Sequence, residues 1–113
     1  TLMRANIGEI ARTPDGVGIT LALLDQNAKI AAAEGYPMPE AFMKRFRAVF
    51  SDTGSQMEAS MLRDIERKGP VEADHIVGFM LNKARAHGLD DTLHRICFTH
   101  LKAYEQRRAA GRL

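Results

Sequence analysis

The chain has no tryptophan, a single cysteine, and only two tyrosines and five phenylalanines among 113 residues. A lone cysteine, Cys97, excludes an internal disulfide framework. Flanked by Ile96 and Phe98, it reads as a small buried hydrophobe, and such usage fits a reducing, cytoplasmic setting. No apolar run approaches the roughly 20 residues of a membrane-spanning helix, and none resembles the core of a signal peptide. An excess of one charge is lacking too: sixteen Lys and Arg face fourteen Asp and Glu, for a net charge of +2. So small an excess argues against nucleic acid as a partner. The basic groups at Lys44, Arg45, Arg47 and at Arg107, Arg108, Arg112 read as solvated helix faces.

Signs of familiar catalytic chemistry are equally sparse. Gly16-Val17-Gly18 follows no strand and lacks the third glycine of a dinucleotide loop. The histidines, His75, His87, His94 and His100, form no i, i+4 pair and no His-Glu-x-x-His run, so no metal site is expected. A buried thiol has a raised pKa, which argues against Cys97 as a nucleophile.

What the sequence does contain is helical spacing between clear punctuation marks. Residues 1–10 carry Leu2, Ile7 and Ile10 and read as the end of a helix that begins ahead of Thr1. Thr13-Pro14-Asp15 predicts a capped helix start. The helix that follows, to Gly35, is apolar nearly all round and is expected to be central and largely buried. After Pro37 and Pro39, the spacing of Phe42, Phe46, Val49 and Phe50 predicts a short helix with these residues as core anchors. Residues 51–56 read as a polar loop. Met57, Met61, Leu62 and Ile65 predict a helix stopped by Gly69-Pro70. From Glu72 a helix buried through Ile76, Val77, Met80 and Ala84 should run to Gly88. A last helix should start at residues 90–92, bury Leu93, Cys97, Leu101 and Tyr104, and fray from Gln106 into a mobile basic tail. The expectation is therefore an all-α fold, an irregular bundle of five to six helices forming one domain over residues 1–113.

The segment from residue 60 to residue 88 carries a more specific pattern. Ser60-Met61-Leu62-Arg63-Asp64, then Gly69-Pro70-Val71-Glu72-Ala73-Asp74, then Gly78 and Ala84-Arg85-Ala86-His87-Gly88 resembles the signature of the ketopantoate reductase family. Upstream, Gly8-Glu9-Ile10, the helix ending at Gly35, and Pro37 are similar to the opening of the family's C-terminal domain. The resemblance implies a helical, substrate-side domain of the 6-phosphogluconate dehydrogenase C-terminal-like kind, which closes over a keto acid. It also implies a separate N-terminal Rossmann domain, absent from this chain, that holds NADPH. The implied activity is reduction of 2-dehydropantoate (ketopantoate) to pantoate in pantothenate biosynthesis. By position, Ser60 matches the family serine that hydrogen-bonds substrate, and Glu72 the family glutamate at the active-site rim. The family's proton-donating lysine falls ahead of Thr1, so no catalytic residue is assigned here and the chain alone is expected to be inactive. Asn6 lies near a family asparagine but is given no role, because Ile7 intervenes before Gly8.

Two alternatives stand beside this reading. Ala59, Arg63 and Leu89-Asp90-Asp91 depart from common family residues, which points to a parent reductase with a different 2-keto acid. The methionines Met57, Met61 and Met80 suit a stand-alone helical interaction module. Under the leading reading, an apolar face left bare by the missing domain should be exposed and can drive homodimerisation.

Overall fold

A computed structural model describes residues 2–113. Among the described residues every regular element is helical. The elements are α1 (Ile7–Ala11), α2 (Gly16–Ala33), α3 (Glu40–Phe50), α4 (Ser60–Glu66), a π-helical turn (Ala73–Gly78) running into α5 (Phe79–Ala86), and α6 (Thr92–Ala109). The chain is thus all-α, as its spacing predicts. It forms two compact units, one of Ala5–Glu58 and one of Ala59–Leu113 together with residues 2–4.

In the first unit the helix near residue 10 is not the tail of a longer one; it starts at Ile7, behind a cap at Asn6. The Asn6 side chain accepts the Glu9 backbone N–H at 2.8 Å, and Glu9 Oε1 accepts the Asn6 N–H at 3.0 Å. This reciprocal capping box satisfies two amides that a helix start leaves orphaned. Two more, those of Ile7 and Gly8, donate to the carbonyls of Met57 and Ser55, both at 2.9 Å. That approach requires Gly8: a Cβ there would lie 2.4 Å from the Ser55 oxygen. The loop 51–58 is therefore stitched to α1, with the Arg12 guanidinium adding a bond to the Thr53 carbonyl.

Thr13 does not cap α2. Its hydroxyl donates to the Ile10 carbonyl at 2.7 Å, closing α1 instead, and α2 begins at Gly16 after an Asp15 whose side chain makes no capping bond. Nor is α2 largely buried. Only Gly16 and Ile30 are, while Val17, Leu21, Leu24 and Ala28 are half-buried and Ile19 is exposed. A helix apolar on every side needs partners on every side, and within its own unit α2 meets only α1 and α3. The aromatics of α3 are likewise not core anchors. The buried residue is Met43, whereas Phe42, Phe46 and Phe50 form a ladder with centroids 4.5 and 5.8 Å apart, Phe42 exposed and the other two half-buried. Arg47 on α3 pairs with Asp25 on α2 at 3.2 Å.

The second unit closes around Ile65, Ala73, Leu101 and Tyr104, with Met61, Val71, Val77, Phe98 and Leu113 packed against them. Helix α4 ends as Lys68 turns into the left-handed region (φ 59°), with Lys68 N–H bonded to the Ile65 carbonyl and Gly69 N–H to that of Asp64. That is a Schellman closure with lysine where glycine is usual. Met57 lies ahead of α4, exposed, and does not join its face.

The π-helical turn corrects the expected burial of the next element. An α-helix from Glu72 would place Val77 and Met80 on the inner stripe below Ala73. The wider turn brings position i+5 under position i, so the buried track runs through Ala73, Gly78, Leu81 and Ala84. Ile76 is left exposed, and Val77 and Met80 are half-buried. In α6 the buried residues are His94, Leu101 and Tyr104, with Leu93 and Cys97 half-buried. His94 precedes Leu101 by two turns and shares its stripe. The Tyr104 hydroxyl donates to the Gly69 carbonyl at 2.6 Å and ties α6 to the turn after α4. The tail does not fray at Gln106. Helix α6 continues to Ala109, Arg107 Nε donates to the Arg112 carbonyl at 2.9 Å, and Leu113 folds back onto the core.

Candidate functional site

Ser60 is the first residue of α4. It follows an extended Ala59 (φ −72°, ψ 147°), and its side chain is exposed and makes no hydrogen bond among the described residues. Its hydroxyl does not cap the helix that it begins. Glu72 flanks the start of the π-helical turn, where its carbonyl accepts the Ile76 N–H at 3.2 Å. Its carboxylate is exposed and unengaged, in contrast to that of Asp74 two residues on, which meets Lys102 Nζ at 3.3 Å. Both predicted residues therefore stand in the second unit with free polar ends, and no hydrogen bond joins them.

The titratable groups nearby do not make a proton-transfer pair. Lys102 donates to Glu105 at 2.6 Å and to Asp74, and these bonds raise its pKa above 10.5, holding it as a cation. Burial pushes the Cys97 thiol upward, away from reactive thiolate. His94 is lowered below 6.5 by burial, against a smaller opposing pull from Asp91 and Asp90. No cluster of three metal-capable side chains occurs among the described residues. With no strand among them either, the described chain has no strand-to-helix glycine loop of the kind that cradles a dinucleotide.

A feature that sequence reading missed lies in the same unit. A cavity of about 390 Å³ opens between the end of α4 and the end of α6, and its walls include Arg4, Lys68, His100 and Arg107. These residues are spread over a hundred positions, so no local motif brings them together. Asn6, given no role from the sequence, is used as the cap of α1.

The family model of the ketopantoate reductase C-terminal region matches residues 1–105. An uncharacterised oxidoreductase of Bacillus subtilis, YkpB, is 28% identical over 105 residues, covering 93% of this chain and 35% of that protein. The 2-dehydropantoate 2-reductase of Archaeoglobus fulgidus is 27% identical over 104 residues, covering 92% and 34%. The dimeric ketopantoate reductase of Staphylococcus aureus superposes with a TM-score of 0.79 at 27% identity, over 95% of this chain and 37% of that one. The chain spans about a third of the length of these relatives. No helix among the described residues is long and apolar enough to cross a membrane. The match over nearly all its length, on an all-helical fold shared with a ketopantoate reductase, places the chain in the ketopantoate reductase family, as that family's C-terminal helical domain.

Proposed function

We propose that residues 1–113 form the substrate-side domain of a cytoplasmic 2-keto acid reductase, with 2-dehydropantoate as the substrate. A separate N-terminal Rossmann domain would hold NADPH, and the nicotinamide would supply the hydride that reduces the ketone to a 2-hydroxy acid. The observation that carries this reading is the family match over residues 1–105. The free polar ends of Ser60 and Glu72 support it, since each is available to a ligand instead of being spent on its own helix.

In this reading Ser60 donates its hydroxyl to a carboxylate or hydroxyl of the bound acid, and Glu72 accepts from a substrate hydroxyl or pairs with a neighbouring ammonium. Both orient the substrate, and neither transfers the proton that the new alkoxide needs. The half-bare α2 and the aromatic ladder of α3 offer apolar surface for the Rossmann domain or for a second copy of the chain.

The test is NADPH oxidation by the full-length parent with ketopantoate and a panel of other 2-keto acids. Ser60→Ala and Glu72→Gln should each lower kcat/KM at least tenfold, in keeping with about 1.5–3 kcal/mol for a hydrogen bond to a charged group. Turnover of another keto acid in preference to ketopantoate would move the substrate within the family. Absence of turnover on the whole panel would defeat the reductase reading.

A further inference from the structure

The cavity between the ends of α4 and α6 has walls of unbalanced charge. Arg4, Lys68 and Arg107 line it, and no carboxylate pairs with any of them among the described residues. The one acidic wall residue is Glu66. With His100 neutral, three cations stand against the Glu66 side chain and the terminal carboxylate of Leu113, which also lines the cavity, and leave it at +1. His100 also lines the cavity, and its Nε2, which has almost no surface open to solvent, has no hydrogen-bond partner. Burial, reinforced by the charge of Arg4, lowers the pKa of that imidazole, a state that a bound anion would reverse.

Arg4 (φ 56°) and Lys68 (φ 59°) are the two described residues other than glycine with positive φ, and both line this cavity. At Lys68 that conformation is the closure of α4, and at both residues it sits beneath a cation of the cavity wall. The floor is apolar, made by Ile65, Ala103 and Leu113, and the volume of about 390 Å³ exceeds what a bare oxyanion fills.

We infer that this cavity binds a small phosphate monoester, its dianionic phosphate among Arg4, Lys68, Arg107 and His100 and its organic part on the apolar floor. A phosphate ester carries a charge of about −1.5 to −2 at neutral pH and three acceptor oxygens, enough to meet three cationic side chains at once where a single carboxylate cannot. Neither Ser60 nor Glu72 lines this cavity, so the site is distinct from the proposed keto-acid contacts and does not rest on them.

Phenyl phosphate is the probe, titrated into this chain by calorimetry and followed by the His100 ring resonances. Saturable binding should shift those resonances. The double variant Lys68→Gln/Arg107→Gln should weaken binding at least tenfold, Glu66→Gln should tighten it, and Lys44→Gln, a cation of the other unit, should leave it unchanged. All three altered wall positions are exposed, so folding should survive. Binding that ignores the wall variants overturns the inference. Benzoate binding as tightly as phenyl phosphate overturns the choice of a dianion, and inorganic phosphate binding as tightly removes the role of the floor. Displacement by pyruvate at equal concentration would assign the cavity to the keto acid instead.

Discussion

In Ala59–Leu113 the residues Ile65, Ala73, Leu101 and Tyr104 pack into one dry cluster, whereas in Ala5–Glu58 the eighteen residues of α2 bury only Gly16 and Ile30, and α3 buries only Met43. The contrast does not come from a shortage of apolar residues in the first unit, since α2 is apolar nearly all round. It comes from the number of neighbours. The second unit folds α6 across the π-helical turn, α5 against both, and the C-terminal Leu113 back onto the core. In the first, three helices are too few to cover one helix without a polar face. Apolar area beyond what a unit can cover for itself is what a docking surface is made of.

Three experiments can break or sharpen this contrast. The largest effect is expected in the core of the second unit: Leu101→Ala should lower the unfolding free energy in urea by about 2–5 kcal/mol, the usual cost of emptying a fully buried leucine site. Phe46→Ala on the half-open ladder should cost this chain less than about 1.5 kcal/mol. Equal costs would erase the distinction between the units. A larger cost for Phe46→Ala in the full-length parent would show that the ladder is covered there.

A smaller effect separates two helix ends of the second unit that share one closure. Gly88 (φ 64°) ends α5 with Leu89 N–H on the Ala84 carbonyl, just as Lys68 ends α4 with Gly69 N–H on that of Asp64. Glycine carries no Cβ penalty there and lysine does. Thermal melts should therefore find Gly88→Ala destabilising by about 1 kcal/mol and Lys68→Gly stabilising by up to about that much. Loss of stability in Lys68→Gly would mean that the lysine side chain contributes more than its backbone costs.

The smallest effect is that of pH, and it should be confined to one unit, because all four histidines lie beyond residue 59. His94 and His100 are both lowered below 6.5, chiefly by burial. Each therefore binds its proton more readily unfolded than folded, and stability should be full above pH 6.5 and decline as the pH falls below it. Amide exchange at pH 5.5 and 7.5 should show added opening in Ala59–Leu113 and none in Ala5–Glu58. Equal opening in both units would refute the assignment to these histidines.

The parts legible in the sequence were those coded by neighbours in the chain. Gly35 and Gly88 end their helices, proline separates α2 from α3, and α6 starts at Thr92, all local conformational rules. The capping box at Asn6 was equally local, an Asn-x-x-Glu pattern hidden by the assumption that residues 1–10 finish a helix. Ser60 and Glu72 were found through their resemblance to a family pattern, because an exposed serine and an exposed glutamate have no physical signature of their own in one sequence. Burial was the harder quantity. Spacing reports which residues share a face but not whether anything covers it, so α2 and the α3 aromatics looked like core.

The sequence by itself determined that the chain is helical, where most of its helices stop, and which family pattern it carries, because these depend on contacts a few residues long. Tertiary structure alone decided which faces stay bare, how the π-helical turn moves the buried track from Val77 to Gly78, and that Arg4, Lys68, His100 and Arg107 share one cavity. Those outcomes depend on which distant segments meet, and in a helical chain each meeting is settled by packing across the whole unit.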